Sequence, residues 1–253
     1  MKITILTQFP DMFSSVLNES ILGKAKEKGL VTFDVLNIRD YTKDKHNRTD
    51  DTPFGGGAGM VMTPQPAFDA LRQNHAEGKR ILYMSPRGRI LDKELAEDLS
   101  EEDEIFILCG HYEGVDQRII DAWNMEEVSI GDYILTGGEL PAMVLIDTVS
   151  RLIPGVLASE ESSLDESIYS GLLEADMYTK PRVYEDLEVP EVLFGGNHKL
   201  IHLWQFEKSL RITKARRPDL FQNYLDSLSS KNLTKEEKKI LNIVVNDNET
   251  MDI

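Results

Sequence analysis

The sequence predicts an α/β protein with a parallel sheet, followed by a small all-helical domain at the C-terminal end. A strand, a helix and a second strand follow one another in residues 3–38, and this order is typical of a parallel sheet. Residues 105–108 are all apolar, which predicts a strand buried on both faces. From residue 200 onward the apolar residues recur at helical spacing instead.

The first half of the chain supplies three strands and the helices between them. The first strand lies in residues 3–6, and Asp11 is the expected N-cap of a helix that Gly29 ends. The second strand is predicted in residues 31–38. A helix in residues 66–76 then leads to a third strand in residues 80–84. Residues 85–89 follow at the carboxyl end of this strand, and a short acidic helix is predicted in residues 93–99.

A central stretch, residues 104–151, carries most of the candidate chemistry. Its two short strands, 105–108 and 127–130, each run into a loop that contains glycine. In open α/β sheets, ligands bind outside the carboxyl ends of the strands, so we expect both loops to line one site. The glycines of the second loop let main-chain groups approach a ligand, where they could contact an adenine edge. A helix begins near Leu140 and continues without a breaker to Pro154.

The C-terminal third of the chain is predicted to be helical. Residues 157–176 are rich in Ser and Glu and have little periodicity, which favours a mobile linker. Apolar residues in 200–206, 218–228 and 234–245 then indicate helices, and Thr234 with Glu237 forms a capping box. We therefore expect an α/β domain in residues 1–158, a flexible linker in 159–178 and a helical domain in 179–253, with a frayed tail from residue 246.

Composition limits the classes of function. At 253 residues the chain can form one large or two modest domains. A formal charge of −16, taken alone, disfavours nucleic-acid binding, because phosphate contacts depend on Lys and Arg. The acidic residues are concentrated in residues 92–104 and 160–166, however, and a basic cluster lies in residues 211–217. A local patch matters more for binding than the total charge.

Several familiar sites are excluded. The single cysteine, Cys109, rules out an internal disulfide and a multi-cysteine metal site, and the five histidines lack metal-ligand spacing. The glycine-rich loop in residues 53–59 has neither the Gly-Lys-Ser/Thr ending of a P-loop nor the spacing of a dinucleotide fingerprint. A dehydrogenase is therefore rejected. No apolar run reaches membrane-spanning length, and a reducing cytoplasm suits this cysteine usage.

Long motifs identify a family. The segments LCGHYEGVDQR and SIGDYILTGGELPAM, at their observed separation, resemble the signature of the bacterial tRNA (guanine-N1)-methyltransferases, the TrmD family of the SPOUT superfamily. The resemblance extends from KITILTQFPDMF to FGGNH and KARRPDL, and so covers nearly the whole chain. It implies a deep trefoil knot formed by the chain between about Pro86 and Leu140. Knots are so rare that the residues alone would not predict one.

The resemblance also implies a cofactor, S-adenosylmethionine, and the residues that bind it. They belong to three segments that follow the predicted strands in residues 80–84, 105–108 and 127–130. The implied cofactor-binding residues are Tyr83, Met84, Ser85, Pro86, Gly110, Tyr112, Glu113, Ile130, Gly131, Asp132, Tyr133, Ile134, Leu135, Gly137, Gly138 and Pro141. By the same resemblance, the loop in residues 53–59 approaches either the target nucleotide or the cofactor. His111 is assigned no proton-transfer role.

Two residues are implied to act directly on the target guanine. N1 of guanine carries a proton, so its methylation needs a base near N1 and a positive group near O6. In SGLLEADMYTKP the residue that matches the family's aspartate base is Glu174, and Asp176 is a rival two residues later. Arg151 matches the arginine that interacts with O6. Met177 and Lys180 depart from the family's usual His and Arg, which puts RNA contacts in doubt more than the reaction.

The resemblance further implies partners. The family acts as a homodimer in which each active site draws on both chains, and the tRNA lies across the dimer. The expected phosphate contacts are Lys214, Arg216 and Arg217. Some members of the family are thought to use Mg²⁺, which this sequence neither supports nor excludes. Two alternatives keep the same fold, namely an enzyme that methylates another RNA nucleotide and a non-catalytic RNA-binding factor.

Overall fold

The computed structural model describes residues 1–157 and 170–247. Most of the predicted linker and nearly all of the predicted frayed tail lie outside the described residues. The chain divides into two compact units, Met1–Glu160 and Glu161–Ile253. No helix in the part of the chain that the structure describes is long and apolar enough to cross a membrane.

The first unit is built on a five-stranded sheet in which every pairing is parallel, as the sequence predicts. Along the sheet the order of the strands is β2-β1-β6-β5-β7. A separate antiparallel pair, β3 and β4, flanks the glycine-rich loop. The strands are β1 Lys2–Thr7, β2 Thr32–Asn37, β3 Asp50–Asp51, β4 Val61–Met62, β5 Arg80–Ile90, β6 Glu104–Leu108 and β7 Glu126–Ser129.

Helices cover both faces of this sheet, and the side chains of the central strand β6 are buried on both faces. Its side chains at 105–108 are fully buried and alternate between two cores. Ile105 and Ile107 pack in one core, and Phe106 and Leu108 pack in the other. The helices are α1 Ser14–Asn18, α2 Ser20–Glu27, α3 Pro64–Gln73, α4 Lys93–Ser100, α5 Gln117–Ala122 and α6 Glu139–Ser150.

The predicted helix with Asp11 as its N-cap is wrong in two respects. A 3₁₀ turn, Pro10–Phe13, begins before Asp11, because proline suits the first position of a helical turn. The helix then breaks between α1 and α2, where Glu19 is extended and Ser20 has a φ of 55°. Two short helices therefore replace the single helix that was expected.

The prediction that the third strand ends at residue 84 is wrong, because residues 85–89 continue it in β5. This strand pairs with β7 both before and after an irregularity between Met84 and Arg89. Gly88 lies so close to the backbone of Glu127 and Val128 that a Cβ atom would overlap it. Proline and glycine within a strand are typical of a bulge. Because the same two residues are also common in loops, the sequence pattern alone does not distinguish the two.

The second unit contains three longer helices, α7 His198–Arg216, α8 Pro218–Asp226 and α9 Lys235–Asn246. The capping box of Thr234 and Glu237 at the start of α9 is confirmed. The unit also has a short antiparallel hairpin, β8 Val183–Tyr184 and β9 Leu187–Glu188, so the prediction that it is all-helical is wrong. The turn of this hairpin has positive φ at both central residues, which type I′ turns require.

The last residues of the predicted linker that the structure describes pack within the second unit. Leu172 is buried in the core that α7, α8 and α9 share. The backbone N–H of Leu173 donates to the hydroxyl of Thr213 on α7, at 2.8 Å. The segment just before Glu174 is therefore held by this unit.

Candidate active site

A cavity of about 500 Å³ lies at the carboxyl ends of β5, β6 and β7. Three segments of the chain form its walls, and each follows or continues one of these strands. As expected, the two loops of the central stretch therefore line one site. The lining residues are Tyr83, Met84, Ser85, Pro86, Arg87, Gly110, His111, Tyr112, Glu113, Gly114, Val115, Gln117, Val128, Ser129, Ile130, Gly131, Tyr133, Ile134, Leu135, Thr136, Gly137, Gly138 and Pro141.

All but one of the residues assigned to the cofactor from the sequence line this cavity. The exception is Asp132, whose side chain is exposed and which is absent from the lining. The sequence prediction omitted eight lining residues, among them Arg87, His111 and Thr136. These eight lie beside or between predicted residues in the same three segments. Continuity along each segment was therefore the signal that could have found them.

Two walls of the cavity meet through their backbones. The N–H of Gly138 donates to the carbonyl oxygen of Gly110 at 2.8 Å, and His111 and Gly137 form an isolated antiparallel bridge. A Cβ atom on Gly138 would lie 2.8 Å from the Cα of Cys109 and 2.9 Å from the nitrogen of Gly110. Only glycine allows this approach without a shift of backbone.

Beside this crossing lies a buried network of three side chains. The Nε2 atom of His111 is 2.6 Å from Oε2 of Glu139, and the hydroxyl of Thr7 donates to Oε1 of Glu139 at 2.6 Å. Glu139 and Thr7 are both buried. The ring of Phe9 lies against the imidazole, with 4.7 Å between centroids. The network therefore joins the end of β1, the loop after β6 and the start of α6.

Cys109 lies at the end of β6, beneath the cavity. Burial raises the pKa of its thiol well above the ordinary value, and the negative charge of Glu139 adds to the effect. The thiol is therefore protonated at neutral pH, and a nucleophilic role for it is excluded.

The glycine-rich loop is fixed beside one wall residue, Glu113. The N–H of Glu113 donates to the carbonyl oxygen of Met60 at 3.0 Å, and Gly59 lies directly against its side chain. At the other end of the loop, the side chain of Phe54 is fully exposed. The loop thus presents an aromatic ring to solvent near its start and reaches the cavity wall at its end.

Two side chains on the β5 side of the cavity, Arg87 and Tyr83, are both influenced by the carboxylate of Glu127. Arg87 is held by Glu127, with an Nη2–Oε1 distance of 3.0 Å. Burial raises the pKa of Tyr83, and the nearby carboxylate of Glu127 raises it further. The Tyr83 hydroxyl therefore stays neutral and can act as a hydrogen-bond donor near physiological pH.

The implied catalytic residues lie in different units. Arg151 ends α6, whose first turn borders the cavity at Pro141, and its backbone N–H donates to the carbonyl oxygen of Asp147. Glu174 and Asp176 belong to the second unit, and both side chains are exposed.

The three expected phosphate contacts differ in their surroundings. The ammonium group of Lys214 donates to the carbonyl oxygens of Val244 and Asp247, each at 2.6 Å, and so caps the end of α9. Arg217 pairs with Asp219 and lowers the pKa of that exposed carboxyl to about 2. Arg216 is exposed and forms no ion pair with any residue that the structure describes. Arg216 is thus the cation most available to a phosphate.

A metal centre is not apparent in the described ranges, 1–157 and 170–247. No group of three or more His, Cys, Asp or Glu side chains in these ranges is arranged to hold a metal ion.

Comparison with known proteins identifies the family. A family model described as tRNA (Guanine-1)-methyltransferase TrmD matches residues 1–223. The chain is 52% identical to a tRNA (guanine-N(1)-)-methyltransferase of Ruminiclostridium cellulolyticum over 236 residues, which are 92% of this chain and 100% of that protein. Proteins of the same name from Alkaliphilus oremlandii and Clostridioides difficile are 49% and 50% identical over 95% and 88% of this chain, and 97% and 98% of their own lengths. The chain therefore belongs to the TrmD family of tRNA (guanine-1)-methyltransferases.

Proposed function

We propose that this chain transfers a methyl group from S-adenosylmethionine to N1 of guanosine at position 37, in the anticodon loop of tRNA. One observation carries the proposal. In a chain of the TrmD family, the three segments assigned to the cofactor lie around one cavity at the carboxyl edge of a parallel sheet. Ligands of open α/β sheets bind at this edge.

The cavity suits the cofactor in size and lining. Its volume of about 500 Å³ lies within the range of about 300–1,000 Å³ that is typical of small-molecule sites. Ile130, Leu135 and Pro141 provide apolar surface for an adenine ring, and the carboxylate of Glu113 can attract a positive charge. When bound, S-adenosylmethionine supplies a methyl group already activated by its sulfonium. The chain therefore has to bind and orient, and no metal is chemically obligatory.

In the proposed reaction, Glu174 removes the proton from N1 of guanine. The guanidinium of Arg151 stabilises the negative charge that develops on O6 as the proton leaves. Glu174 follows Leu172 and Leu173, which anchor it to the second unit. Asp176 is exposed in the same segment and remains the rival base. Addition of EDTA to the assay below, with Mg²⁺ restored in a parallel sample, tests whether the reaction uses Mg²⁺.

The second unit is proposed to hold the tRNA. Arg216 and Arg217 are the proposed phosphate contacts, whereas Lys214 is engaged at the end of α9 and would contribute less. A guanosine in an exposed loop can be splayed out at a lower energetic cost than a paired base. We place this reaction in the cytoplasm.

A homodimer is proposed as the active form. Leu140 and Val144 lie one turn apart on α6, and both are about half exposed. Met12, also exposed, belongs to the 3₁₀ turn Pro10–Phe13, which packs against α6, and the exposed Phe9 directly precedes this turn. Together they offer an apolar surface of the kind that a symmetric interface buries. Leu140→Glu should yield a monomer in light scattering, and an unchanged mass would contradict the proposed interface.

We also propose that the first unit is knotted. Sheet order places β6 between β1 and β5, and Gly88 and Gly138 lie against backbone from distant parts of the chain. Such close crossings are compatible with a chain that threads through its own loop.

The experiment that tests the function is methyl transfer from labelled S-adenosylmethionine to unmodified tRNA with guanosine at positions 36 and 37. The matched substrate carries adenosine at 37, and nucleoside analysis locates the methyl group. We expect product at N1 of guanosine 37 alone. Methylation elsewhere would favour another RNA target, and bound cofactor without product would favour a non-catalytic RNA-binding factor.

Residue roles need single-turnover rates. Glu174→Gln should lower the rate by about 100-fold or more, as expected for loss of a general base. Asp176→Asn should change it by less than about threefold, and the opposite result would make Asp176 the base. Arg151→Gln should lower the rate by about 100-fold, because the charge on O6 loses its partner.

A further inference from the structure

The carboxylate of Glu139 is almost completely withdrawn from solvent, with 2% of its side chain exposed. Burial of a carboxylate is unfavourable unless hydrogen bonds replace its water. Both oxygens have a partner here, since Oε1 accepts from Thr7 and Oε2 lies 2.6 Å from His111 Nε2. A side chain this buried and this well satisfied holds its partners in one arrangement.

The pair of His111 and Glu139 spans the crossing of two cavity walls. His111 lines the cavity, whereas Glu139 lies behind it, in the first turn of α6. The imidazole packs directly on Gly137, and the Gly138–Gly110 hydrogen bond lies beside it. The side-chain pair therefore fastens the loop after β6 to the loop after β7 at the point where their backbones touch.

We propose that His111 is a positioning residue for the cofactor and that Glu139 is its anchor. Together they hold the loop of residues 110–114 against residues 137–138, so that the cavity keeps the shape in which S-adenosylmethionine binds. This inference rests on the proposed function. It assigns no proton transfer to either residue, because the role follows from where the pair holds the two walls.

A second histidine–glutamate pair in the same chain provides a matched control. His202 Nε2 lies 2.9 Å from Glu237 Oε1 in the second unit. There the histidine side chain is 65% exposed, compared with 16% for His111, and neither residue lines the cavity. The two pairs share chemistry and differ in position, so only the first should affect cofactor binding.

The test is a double-mutant cycle measured by calorimetric titration of the full chain with S-adenosylmethionine. His111→Gln and Glu139→Gln should each raise Kd about tenfold. The double variant should raise it no further than the more severe single variant, because loss of either partner opens the same contact. KM for the cofactor should rise in step, while KM for tRNA stays within twofold. His202→Gln should leave Kd unchanged.

The outcomes separate this inference from the proposed function. A wild-type chain that does not bind S-adenosylmethionine would overturn the function itself. A wild-type chain that binds, with single variants within twofold of it, would overturn the positioning role. A double variant that binds S-adenosylmethionine about a hundredfold more weakly would also overturn it, because the two residues would then act independently. A parallel rise in KM for the cofactor and KM for tRNA would overturn it as well, since it would indicate a general loss of structure. If Glu139→Gln does not fold, as judged by near-ultraviolet circular dichroism, the cycle is run with His111→Gln and Thr7→Val.

Discussion

The backbone crossing beside the cavity of the first unit and the core of the second unit depend on different kinds of contact. In the first unit, distant parts of the backbone touch, as Gly138 does against Cys109 and Gly110. In the second unit, side chains such as Leu210, Phe221 and Leu241 fill the space between helices. The crossing leaves no room for an added side-chain atom at Gly138, whereas the core of the second unit loses stability when side-chain atoms are removed. Opposite kinds of substitution should therefore damage the crossing and the core of the second unit.

The cavity walls and the surface of the second unit should also differ in how well they tolerate substitution. The cavity walls consist largely of loop backbone that packing holds in place, so their geometry is sensitive to small shifts. The helical unit presents charges on its surface, where positions such as Arg216 can change without altering the core. Four substitutions or conditions test this contrast, from the largest expected effect on stability to the smallest.

Leu210→Ala should destabilise the second unit most. Leu210 is fully buried, and removal of a leucine side chain from a core typically costs about 3 kcal/mol. Urea unfolding would measure the loss, and tRNA binding should weaken while cofactor affinity stays within about twofold. Leu200→Ala on the same helix is the control, because Leu200 is 53% exposed and its loss should cost less than about 0.5 kcal/mol. Equal effects of the two substitutions would contradict a side-chain core.

Gly138→Ala should cost about 2 kcal/mol, because the new Cβ atom would overlap the backbone of Cys109 and Gly110. Calorimetry should show at least a tenfold loss of cofactor affinity, since the walls must separate to admit the methyl group. Gly195→Ala is the matched control. Gly195 has a φ of −70°, and the nearest atom to its added Cβ lies at 3.8 Å. Unchanged cofactor affinity in Gly138→Ala would show that the crossing does not shape the cavity.

Thr234→Ala should cost about 1 kcal/mol by removing the N-cap of α9. The hydroxyl of Thr234 accepts from the N–H of Glu237, and alanine would leave that donor without its partner. Thermal unfolding compared with Lys239→Ala, an exposed position on the same helix, isolates the cap. A smaller change in Thr234→Ala than in Lys239→Ala would argue against the capping box as a stabilising element.

Acid should produce the smallest effect, through Glu237. Partial burial acts to raise its pKa, but hydrogen bonds from His202 and Thr234 outweigh it and lower the pKa below the ordinary 4.5. A carboxyl whose pKa is lower when folded stabilises the protein above its unfolded pKa, and that contribution is lost as the pH falls through the folded pKa. Between about pH 5 and about pH 3, Tm of the wild type should therefore fall more steeply than Tm of Glu237→Gln. Glutamine keeps the capping box, so parallel slopes would show that the charge contributes nothing.

The lining of the cavity could be predicted from the sequence to a large degree, because it consists of three segments that are each nearly continuous in the chain. Each predicted segment follows a strand, and strands of a parallel sheet end at one edge. Asp132 was the exception, because it is absent from a wall that its neighbours on both sides form. A long continuous motif therefore locates a wall segment, but it does not show which single residues of that segment line the cavity.

In two places a local pattern did not show which distant residues would become partners. The third strand was predicted to end before Pro86 and Gly88, but β7 pairs with β5 both before and after this segment and keeps it in the strand. The basic cluster predicts a phosphate contact for Lys214, which stays a prediction, but it gives no sign that the ammonium caps α9, a helix that begins about twenty residues later in the chain. In both places the deciding partner is distant in sequence, so no local pattern could identify it.

The sequence by itself determined the parallel sheet, the helices of the second unit, the capping box and the three segments around the cavity. Each of these depends on periodicity, on capping chemistry or on motifs that are continuous in the chain. Only the tertiary structure decided that Thr7, His111 and Glu139 meet, that Gly138 lies against Cys109, and that Lys214 caps α9. These contacts join residues that are far apart in sequence, and they form only when the packing of the whole unit brings the segments together.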